Sequence, residues 1–360
     1  MPGARDSRAR VARRIATAAA YGGGGLGLLG VGLVGLLLTE SKLAIQAIGA
    51  LETLPPRADG VYGEAFADGS AAAQAPLVLA VLGDSTGAGL GVARAGETPG
   101  ALLAAGLASV AERPVRLVNA ARSGGRSADL SGQLEQALPH HPDVAVIMVG
   151  ANDVTRHSPA QLAVRHLGEA VAALHANGCE VVVGTCPDLG TIKPVRPPLR
   201  WVARRLSRQL AAAQTIAVVE AGGRTVSLGS LLGPEFAARP EMFAADRYHP
   251  SAQGYATAAM AVLPSVCAAL GLWPEEERPA TAAPGAAVLP VAMAAAAAAG
   301  RAGTEVAAVP AEGAGRRWAQ LRHRLRTGLP GPENGKKAGT APGGASGNTS
   351  ASSHPAAGDA

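Results

Sequence analysis

Serine, histidine and aspartate at two places in the chain are residue types that can perform nucleophilic catalysis. Ser85 follows Gly83 and Asp84 in a turn directly after an apolar run, where its hydroxyl would be exposed for attack on a carbonyl. Asp246 precedes His249 by three residues, a spacing at which the carboxylate can orient one imidazole nitrogen and leave the other facing a serine. A serine paired with such a base is an activated nucleophile.

Two further turns contain groups that could stabilise negative charge on an attacked oxygen. The Ser-Gly-Gly turn around Gly124 would let a backbone N–H approach a ligand closely. Asn152, in a Gly-Ala-Asn-Asp turn, carries a carboxamide that could donate to a developing oxyanion. Asp153 beside it is either structural or holds the turn that aims Asn152, and both interpretations remain open.

The elements that must position these turns are short apolar runs of the kind found in strands covered on both faces. The runs alternate with helical stretches that begin near Pro99, Pro159, Leu199 and Ser251, and they occupy residues 77–82, 115–118, 144–149, 181–184 and 216–219. This alternation predicts an α/β fold, a three-layer α/β/α sandwich with a five-stranded parallel sheet. In such sheets the active site lies at the carboxyl ends of the strands.

In this order, the four turns resemble the sequence blocks of the SGNH hydrolases, also called GDSL esterases and lipases, of the membrane-anchored bacterial type. Gly83-Asp84-Ser85 is similar to the first block, Gly124 to the glycine of the second, Asn152 to the asparagine of the third, and the Asp246–His249 segment to the fifth. The resemblance covers about residues 77–270. It implies a flavodoxin-like sandwich and ester hydrolysis without a cofactor.

The resemblance also implies a role for each residue. Ser85 would be the nucleophile, His249 its general base and Asp246 the group that orients the imidazole. The oxyanion would be bound by the backbone N–H groups of Ser85 and Gly124 and by the side chain of Asn152. No metal is implied, because the eight histidines show no ligand spacing.

Three other functions compete with ester hydrolysis. An O-acyltransferase or a deacetylase acting on cell-envelope glycans would share the fold and the triad. A catalytically silent binding module displayed on the membrane would be expected to lack a triad member. The Gly-x-Ser-x-Gly match at residues 83–87 also fits the nucleophile elbow of α/β-hydrolases, but several strands precede that elbow and its acid and base usually come from separate loops.

The N-terminus has the pattern of a membrane anchor. Residues 15–39 contain no charged side chain, a run long enough to cross the hydrocarbon layer. Arginines precede the run, which predicts a cytoplasmic N-terminus and a single-pass membrane protein with its catalytic domain extracellular. A cleaved signal peptide would have a shorter apolar region and a small-residue cleavage site. The Gly-x-Gly-x-x-Gly match within the run lacks a preceding strand and favours helix packing in a membrane over dinucleotide binding.

Charge and composition separate the middle of the chain from its ends. The net charge is +5, yet residues 59–273 contain 16 Lys/Arg and 17 Asp/Glu, so the excess lies outside them. A near-neutral middle does not indicate nucleic-acid binding. We expect a basic segment at 1–14, the anchor at 15–39, a linker at 40–76, the hydrolase domain at 77–273 and a disordered Ala/Gly/Pro-rich tail at 274–360. Basic residues 316–326 are either solvated or an amphipathic helix on an anionic surface.

The three cysteines do not form a disulfide framework. Cys179 and Cys186 flank the predicted strand at 181–184 and would lie too far apart to bridge. We expect these two and Cys267 to be small buried hydrophobic residues. The partners implied are an ester substrate and the membrane, with no nucleic acid and an undetermined oligomeric state.

Overall fold

The strands form a single mixed sheet. The structure, a computed structural model, describes residues 54–67 and 75–272 together with positions 36, 39, 40 and 43. The strand order is β1-β3-β2-β4-β5-β6, with β1 antiparallel to β3 and every other neighbouring pair parallel. The strands are β1 (Gly60–Tyr62), β2 (Leu77–Gly83), β3 (Val115–Asn119), β4 (Val144–Met148), β5 (Glu180–Gly184) and β6 (Arg224–Val226).

Helices cover both faces of this sheet and follow one another between the strands. They are α1 (Ser85–Ala88), α2 (Pro99–Ala111), α3 (Leu130–Ala137), α4 (Ala151–Thr155), α5 (Ala160–Ala176), α6 (Leu199–Glu220), α7 (Leu228–Ala238) and α8 (Ala252–Ala269). On one face α2, α7 and α8 pack against alternate strand residues such as Leu79 and Val81. On the other face α3, α5 and α6 pack against the intervening residues Ala80 and Leu82. The predicted three-layer sandwich is confirmed, because side chains that alternate along each strand are buried on both faces.

The prediction of a strand at residues 216–219 is wrong. These residues form the last turns of α6, and the fifth parallel strand is β6, which follows that helix. Along α6 the buried side chains Leu210, Ala211, Gln214 and Val218 recur at helical spacing. Ile216 and Val219 are exposed, so the apolar run crosses two faces of a helix. Periodicity over four residues cannot distinguish the two structures.

The sheet also begins earlier than the sequence pattern predicts. β1 lies within residues 40–76, where the sequence predicts a linker, and it makes the sheet six-stranded instead of five-stranded. Its backbone pairs Gly60 with Leu117 and Tyr62 with Val115. The Tyr62 hydroxyl donates a hydrogen bond to the carbonyl of buried Ala58. A three-residue edge strand with a glycine has too little pattern to be recognised before its partner is known.

Helix capping agrees with the sequence signals. The Thr98 hydroxyl accepts a hydrogen bond from the Ala101 N–H, with Pro99 at the first helical position, and Ser251 caps α8 in the same way. The sequence pattern predicts no helix at the positions of α1, α3, α4 and α7. All three cysteines are free and buried, as expected, and burial raises the pKa of Cys179 and Cys267 to about 12.

Among the described residues, no helix is both long enough and apolar enough to cross a membrane. The basic segment predicted at residues 1–14, the anchor predicted at 15–39 and the tail predicted at 274–360 lie outside the described residues, apart from positions 36 and 39.

Candidate active site

The nucleophile candidate lies at the carboxyl end of β2, in the middle of the sheet. Gly83 has φ of 130°, and a Cβ at this position would lie 1.9 Å from the Met148 carbonyl oxygen, so only glycine fits. Buried Gln133 on α3 bonds both backbone polar groups of Gly83, accepting from its N–H at 2.7 Å and donating to its carbonyl at 2.9 Å. The backbone that precedes Ser85 is therefore held in one conformation.

Asp84 caps the short helix that begins with Ser85. Its side chain accepts a hydrogen bond from the Thr86 N–H at 2.8 Å, while its own N–H donates to the Met148 carbonyl. Ser85 is only 8% exposed. Burial raises the pKa of Asp84 to about 6, although the hydrogen bonds from Thr86 and the nearby His249 lower it. Above this pH the carboxylate adds negative charge beside the site.

The segment with Asp246 and His249 forms a tight turn before α8. One carboxylate oxygen of Asp246 accepts the backbone N–H groups of both Tyr248 and His249, at 3.0 Å each. The Ala244 N–H donates to the His249 carbonyl at 2.8 Å and closes the turn. The Tyr255 hydroxyl on α8 donates to the Leu90 carbonyl, which joins this turn to the segment that follows Ser85.

The three side chains from these two segments form a continuous hydrogen-bonded chain. The second Asp246 oxygen lies 2.6 Å from His249 Nδ1, and His249 Nε2 lies 3.0 Å from Ser85 Oγ. A carboxylate can only accept, so Nδ1 carries the proton and Nε2 is left to accept from the serine hydroxyl. Burial alone would raise the pKa of Asp246, but its hydrogen bonds from His249 and Tyr248 outweigh burial and hold the pKa below its ordinary value.

Donors for an oxyanion lie in the turns after β3 and β4. Asn152 Nδ2 donates to the Gly125 carbonyl at 3.0 Å, which fixes the carboxamide and leaves its second N–H available. The Arg122 N–H donates to the Gly83 carbonyl and holds the Gly124 turn against the end of β2. Within residues 75–272 the backbone N–H groups of Ser85 and Gly124 donate to no acceptor. All three predicted donors are thus placed in neighbouring turns.

Asp153 connects two of these turns. Its buried carboxylate accepts hydrogen bonds from the N–H and the hydroxyl of Ser127, at 3.0 and 2.9 Å. Ser127 follows the Gly124 turn, and Asp153 is adjacent to Asn152. Two roles were considered for Asp153. These contacts favour the second, in which Asp153 holds the turn that orients Asn152.

Comparisons with known proteins identify the family. Residues 81–257 match the GDSL-like Lipase/Acylhydrolase family. Over 251 residues the chain is 43% identical to a GDSL-like esterase of Mycobacterium tuberculosis, an alignment that covers 68% of this chain and 79% of that protein. The chain belongs to the GDSL-like lipase/acylhydrolase family. It is therefore a carboxylic ester hydrolase, and the resemblance inferred from the four sequence blocks is confirmed at the level of the family.

Two further matches are more distant. An arylesterase of Vibrio mimicus is 33% identical over 119 residues, which cover 32% of this chain and 56% of that protein. The solved structure of an acetylxylan esterase from Geobacillus stearothermophilus is 22% identical, with a TM-score of 0.43, and its alignment covers 54% of this chain and 94% of that one.

A mostly apolar pocket opens beside the Ser85 hydroxyl of this GDSL-like chain. About 860 Å³ of space lies between its walls when the open solvent at the mouth is included. Ser85, His249 and Tyr248 lie at one end of the pocket. The remaining wall comes mainly from the segment after β5 and from α7, with Leu189, Ile192, Leu228, Leu232, Gly233, Phe236 and Phe243 as its principal members.

Two buried glutamines that sequence analysis missed hold the strand ends of this GDSL-like site. Gln133 on α3 forms hydrogen bonds with the N–H and the carbonyl of Gly83. Gln214 on α6 accepts from the Cys186 N–H at 2.7 Å and donates to the Val149 carbonyl at 3.0 Å, which joins the ends of β4 and β5. Gln214 is a polar residue at the helical spacing of buried Leu210 and Val218. This pattern could have indicated its role, but only if the segment had been recognised as a helix.

Asp188, also missed, holds the pocket wall after β5. Its side chain is 2% exposed and accepts hydrogen bonds from Arg204 at 3.1 Å and Arg208 at 2.9 Å, both on α6. It also accepts from the Gly190 N–H at 2.8 Å. The Asp188 carboxylate therefore connects two elements. One is the segment after β5, which lines the pocket, and the other is α6, which lies behind that segment.

Cys186 does not compete with Ser85 as a nucleophile. Burial raises the pKa of its thiol well above the ordinary value, so the reactive thiolate does not form near neutral pH. Within residues 54–67 and 75–272, no cluster of three or more His, Cys, Asp or Glu side chains has an arrangement suited to a metal ion.

Proposed function

We propose that this chain hydrolyses carboxylic esters through an acyl-serine intermediate on Ser85. The observation that carries the proposal is the chain of contacts from Asp246 to His249 to Ser85, at 2.6 and 3.0 Å, at the mouth of an apolar pocket. This geometry supplies a nucleophile, a base within hydrogen-bond reach and a group that orients the base.

The proposed reaction has two acyl-transfer steps. Ser85 Oγ attacks the ester carbonyl carbon while its proton passes to His249 Nε2, and the carbonyl oxygen becomes an oxyanion. His249 then gives the proton to the leaving alcohol as the carbon–oxygen bond breaks. Water attacks the acyl-serine by the same route, and the products are one carboxylic acid, one alcohol and the free serine.

Charge stabilisation in this scheme comes from fixed groups on both sides of the reacting carbon. The N–H groups of Ser85 and Gly124 and the Asn152 carboxamide would bind the oxyanion. The Asp246 carboxylate, whose pKa is lowered, stays ionised at neutral pH and stabilises the imidazolium that forms. Asp84 adds a second negative charge near His249 at neutral pH.

Asn152→Ala is expected to lower kcat by about 10²–10³-fold with little change in KM, because the amide acts on charge that develops in the transition state. The measurement is steady-state hydrolysis of a p-nitrophenyl ester by the full chain. Asn177→Ala is the matched control, since it removes a carboxamide that donates to the Ala173 carbonyl at the exposed end of α5, away from the site. An Asn152→Ala enzyme with the kcat of the control would exclude this role.

We also propose that the apolar pocket binds the acyl chain of the substrate. Its wall is built mainly from Leu, Ile and Phe side chains, and each buried methylene contributes about 0.8 kcal/mol. Gly233 on α7 lines this space, where a Cβ would lie 3.8 Å from the Asp188 Cβ and 4.0 Å from Thr191 Cγ2. A methyl group therefore fits, whereas a larger side chain would occupy room left for the substrate.

Gly233→Leu is expected to lower kcat/KM for an octanoyl ester by about 30-fold, from the lost burial of two to three methylenes at ~0.8 kcal/mol each. Hydrolysis of the acetyl ester should change far less, because its acyl group ends near Ser85. Gly132→Leu on α3 is the matched control, since nothing lies within 4 Å of a Cβ there. Equal losses for both esters would indicate that the pocket does not bind the acyl chain.

The proposed function is tested with the full chain and p-nitrophenyl esters from acetate to dodecanoate, without added cofactor or metal. Free acid and alcohol should appear in equal amounts, with a preference among chain lengths. No turnover by folded protein would overturn the proposal. Turnover only with a glycan acceptor or an acetylated glycan would favour the O-acyltransferase or deacetylase alternative.

We propose that residues 15–39 span the cell membrane and anchor the hydrolase domain on its extracellular side. The support is a run of 25 positions without charge that follows arginines at 5, 8, 10, 13 and 14. The measurement is protease treatment of intact cells, which would cut an outward-facing domain. An uncut domain would contradict this orientation.

A further inference from the structure

Helix α6 carries large apolar side chains on its outer surface. Trp201 is 66% exposed and Ile216 is 61% exposed, and Val202, Leu206 and Val219 are also exposed. At about 100° per residue these five side chains lie within about 140° of the helix circumference. The opposite side, with Leu210 and Val218, is buried against the sheet. Apolar side chains gathered on one exposed face mark an interaction surface.

The N-terminal half of this face is strongly basic. Between Asp188 and Glu220 the chain has no acidic residue and six basic ones. Arg204 and Arg208 are paired with Asp188. Of the remaining four, Arg205 lies on the apolar face at about 100° per residue, and Lys193, Arg196 and Arg200 lie just before or in the first turn of α6. We define the docking patch as Trp201, Val202 and Leu206 together with Lys193, Arg196, Arg200 and Arg205.

A contact with the N-terminal part of the chain shows what lies beside this patch. The carboxylate of Glu40 accepts a hydrogen bond from the Leu199 N–H at the start of α6, at 2.9 Å. Glu40 is the first charged residue after the uncharged run at 15–39. The end of that run is therefore held two residues from Trp201, at the basic end of α6.

We propose that the docking patch lies on the surface of an anionic phospholipid bilayer. Trp, Val and Leu side chains would enter the interfacial region, and Lys and Arg side chains would contact lipid phosphates, as in interfacial amphipathic helices. Charge complementarity selects an anionic surface, and the Glu40 contact places the patch beside the proposed anchor. This inference goes beyond the proposed esterase activity and rests in part on the proposed anchor at residues 15–39.

Docking would bring the substrate pocket to the lipid surface. The segment after β5 lines the pocket through Leu189 and Ile192 and continues into Lys193 and Arg196 of the docking patch. Asp188 joins this wall to α6 through Arg204 and Arg208. An ester held in the bilayer would therefore meet the pocket wall without first crossing bulk water.

The test uses the fluorescence of Trp201 in the full chain, with Trp273→Phe and Trp318→Phe removing the other two tryptophans. The protein is reconstituted with vesicles of phosphatidylglycerol and phosphatidylcholine whose acyl chains carry bromine, which quenches tryptophans within the bilayer. We expect about half of the Trp201 fluorescence to be lost, because an interfacial apolar face is buried by about 5–10 Å at the boundary of the acyl chains. Less quenching is expected in phosphatidylcholine alone, or after Arg200→Gln with Arg205→Gln.

The matched control moves the tryptophan to the far edge of the sheet. Val61 on β1 is exposed and lies at the opposite sheet edge from β6, beside which α6 packs. A Val61→Trp, Trp201→Phe chain should keep its fluorescence. The same quenching at both positions, or none at Trp201, would overturn the proposal. Self-association in the absence of vesicles that is lost in Trp201→Ala would assign the patch to a second copy and would also overturn it.

Discussion

Ser85→Ala is expected to lower kcat for ester hydrolysis by about 10⁵–10⁶-fold, as loss of the serine does in other triads. Ser85 Oγ is the hydroxyl in contact with His249 Nε2, at 3.0 Å. The replacement removes one buried oxygen and leaves the turn intact, because Gly83 is held by Gln133 and Asp84 caps the helix. The fold should therefore survive while turnover is lost.

The measurement is hydrolysis of a p-nitrophenyl ester beside labelling with a fluorophosphonate, which forms a covalent bond with an activated serine. The parent chain should be labelled on the peptide that contains Ser85, and the variant should not. Ser109→Ala on α2 is the matched control, since that hydroxyl only donates to the Ala105 carbonyl. Turnover in Ser85→Ala equal to that of the control would show that another group is the nucleophile.

Asp246→Asn is expected to lower kcat by about 10⁴-fold with the backbone unchanged, by the loss of the correct imidazole tautomer. One Asp246 oxygen accepts two backbone N–H groups, so an asparagine must place its carbonyl oxygen there. Its NH₂ group then faces His249 Nδ1, which becomes an acceptor. The ring proton moves to Nε2, and His249 can no longer accept a proton from Ser85.

Two measurements separate this effect from simple destabilisation. Imidazole ¹⁵N chemical shifts should show the proton on Nδ1 in the parent chain and on Nε2 in the variant. Asp143→Asn is the control, because its carboxylate also accepts a backbone N–H, from Val78, at the other end of the strands. A loss smaller than about tenfold in Asp246→Asn would contradict the proposed role, since a tautomer change alone costs far more.

The site could be predicted where its chemistry is carried by local sequence. Asp246 and His249 are three residues apart, and the turn they form is closed by hydrogen bonds within the same segment. Ser85 follows a strand that is apolar throughout because both faces are buried. The caps at Thr98 and Ser251 are likewise contacts between residues three positions apart. Contacts between residues about three positions apart can be predicted from the amino-acid sequence alone.

The sequence-based predictions fail where the local structure depends on residues that are distant in the sequence. Residues 216–219 have the composition of a strand, yet they belong to α6 because Gln214 and Val218 face the sheet at helical spacing. β1 has no pattern of its own and exists by pairing with β3. Gln133 is 50 residues from the glycine that it holds, and no feature of its own helix indicates that contact.

The amino-acid sequence by itself determined the family, the three-layer architecture and the segments that carry Ser85, Gly124, Asn152, Asp246 and His249, because each depends on local pattern or short spacing. Only the tertiary structure decided how these segments meet. The 3.0 Å contact between Ser85 and His249 joins residues 164 positions apart. The buried glutamines that hold the strand ends, the Asp188 pairs behind the pocket and the exposed face of α6 likewise exist only after the sheet and its helices have packed. Long-range burial decides which polar groups must find partners and which apolar groups stay outside.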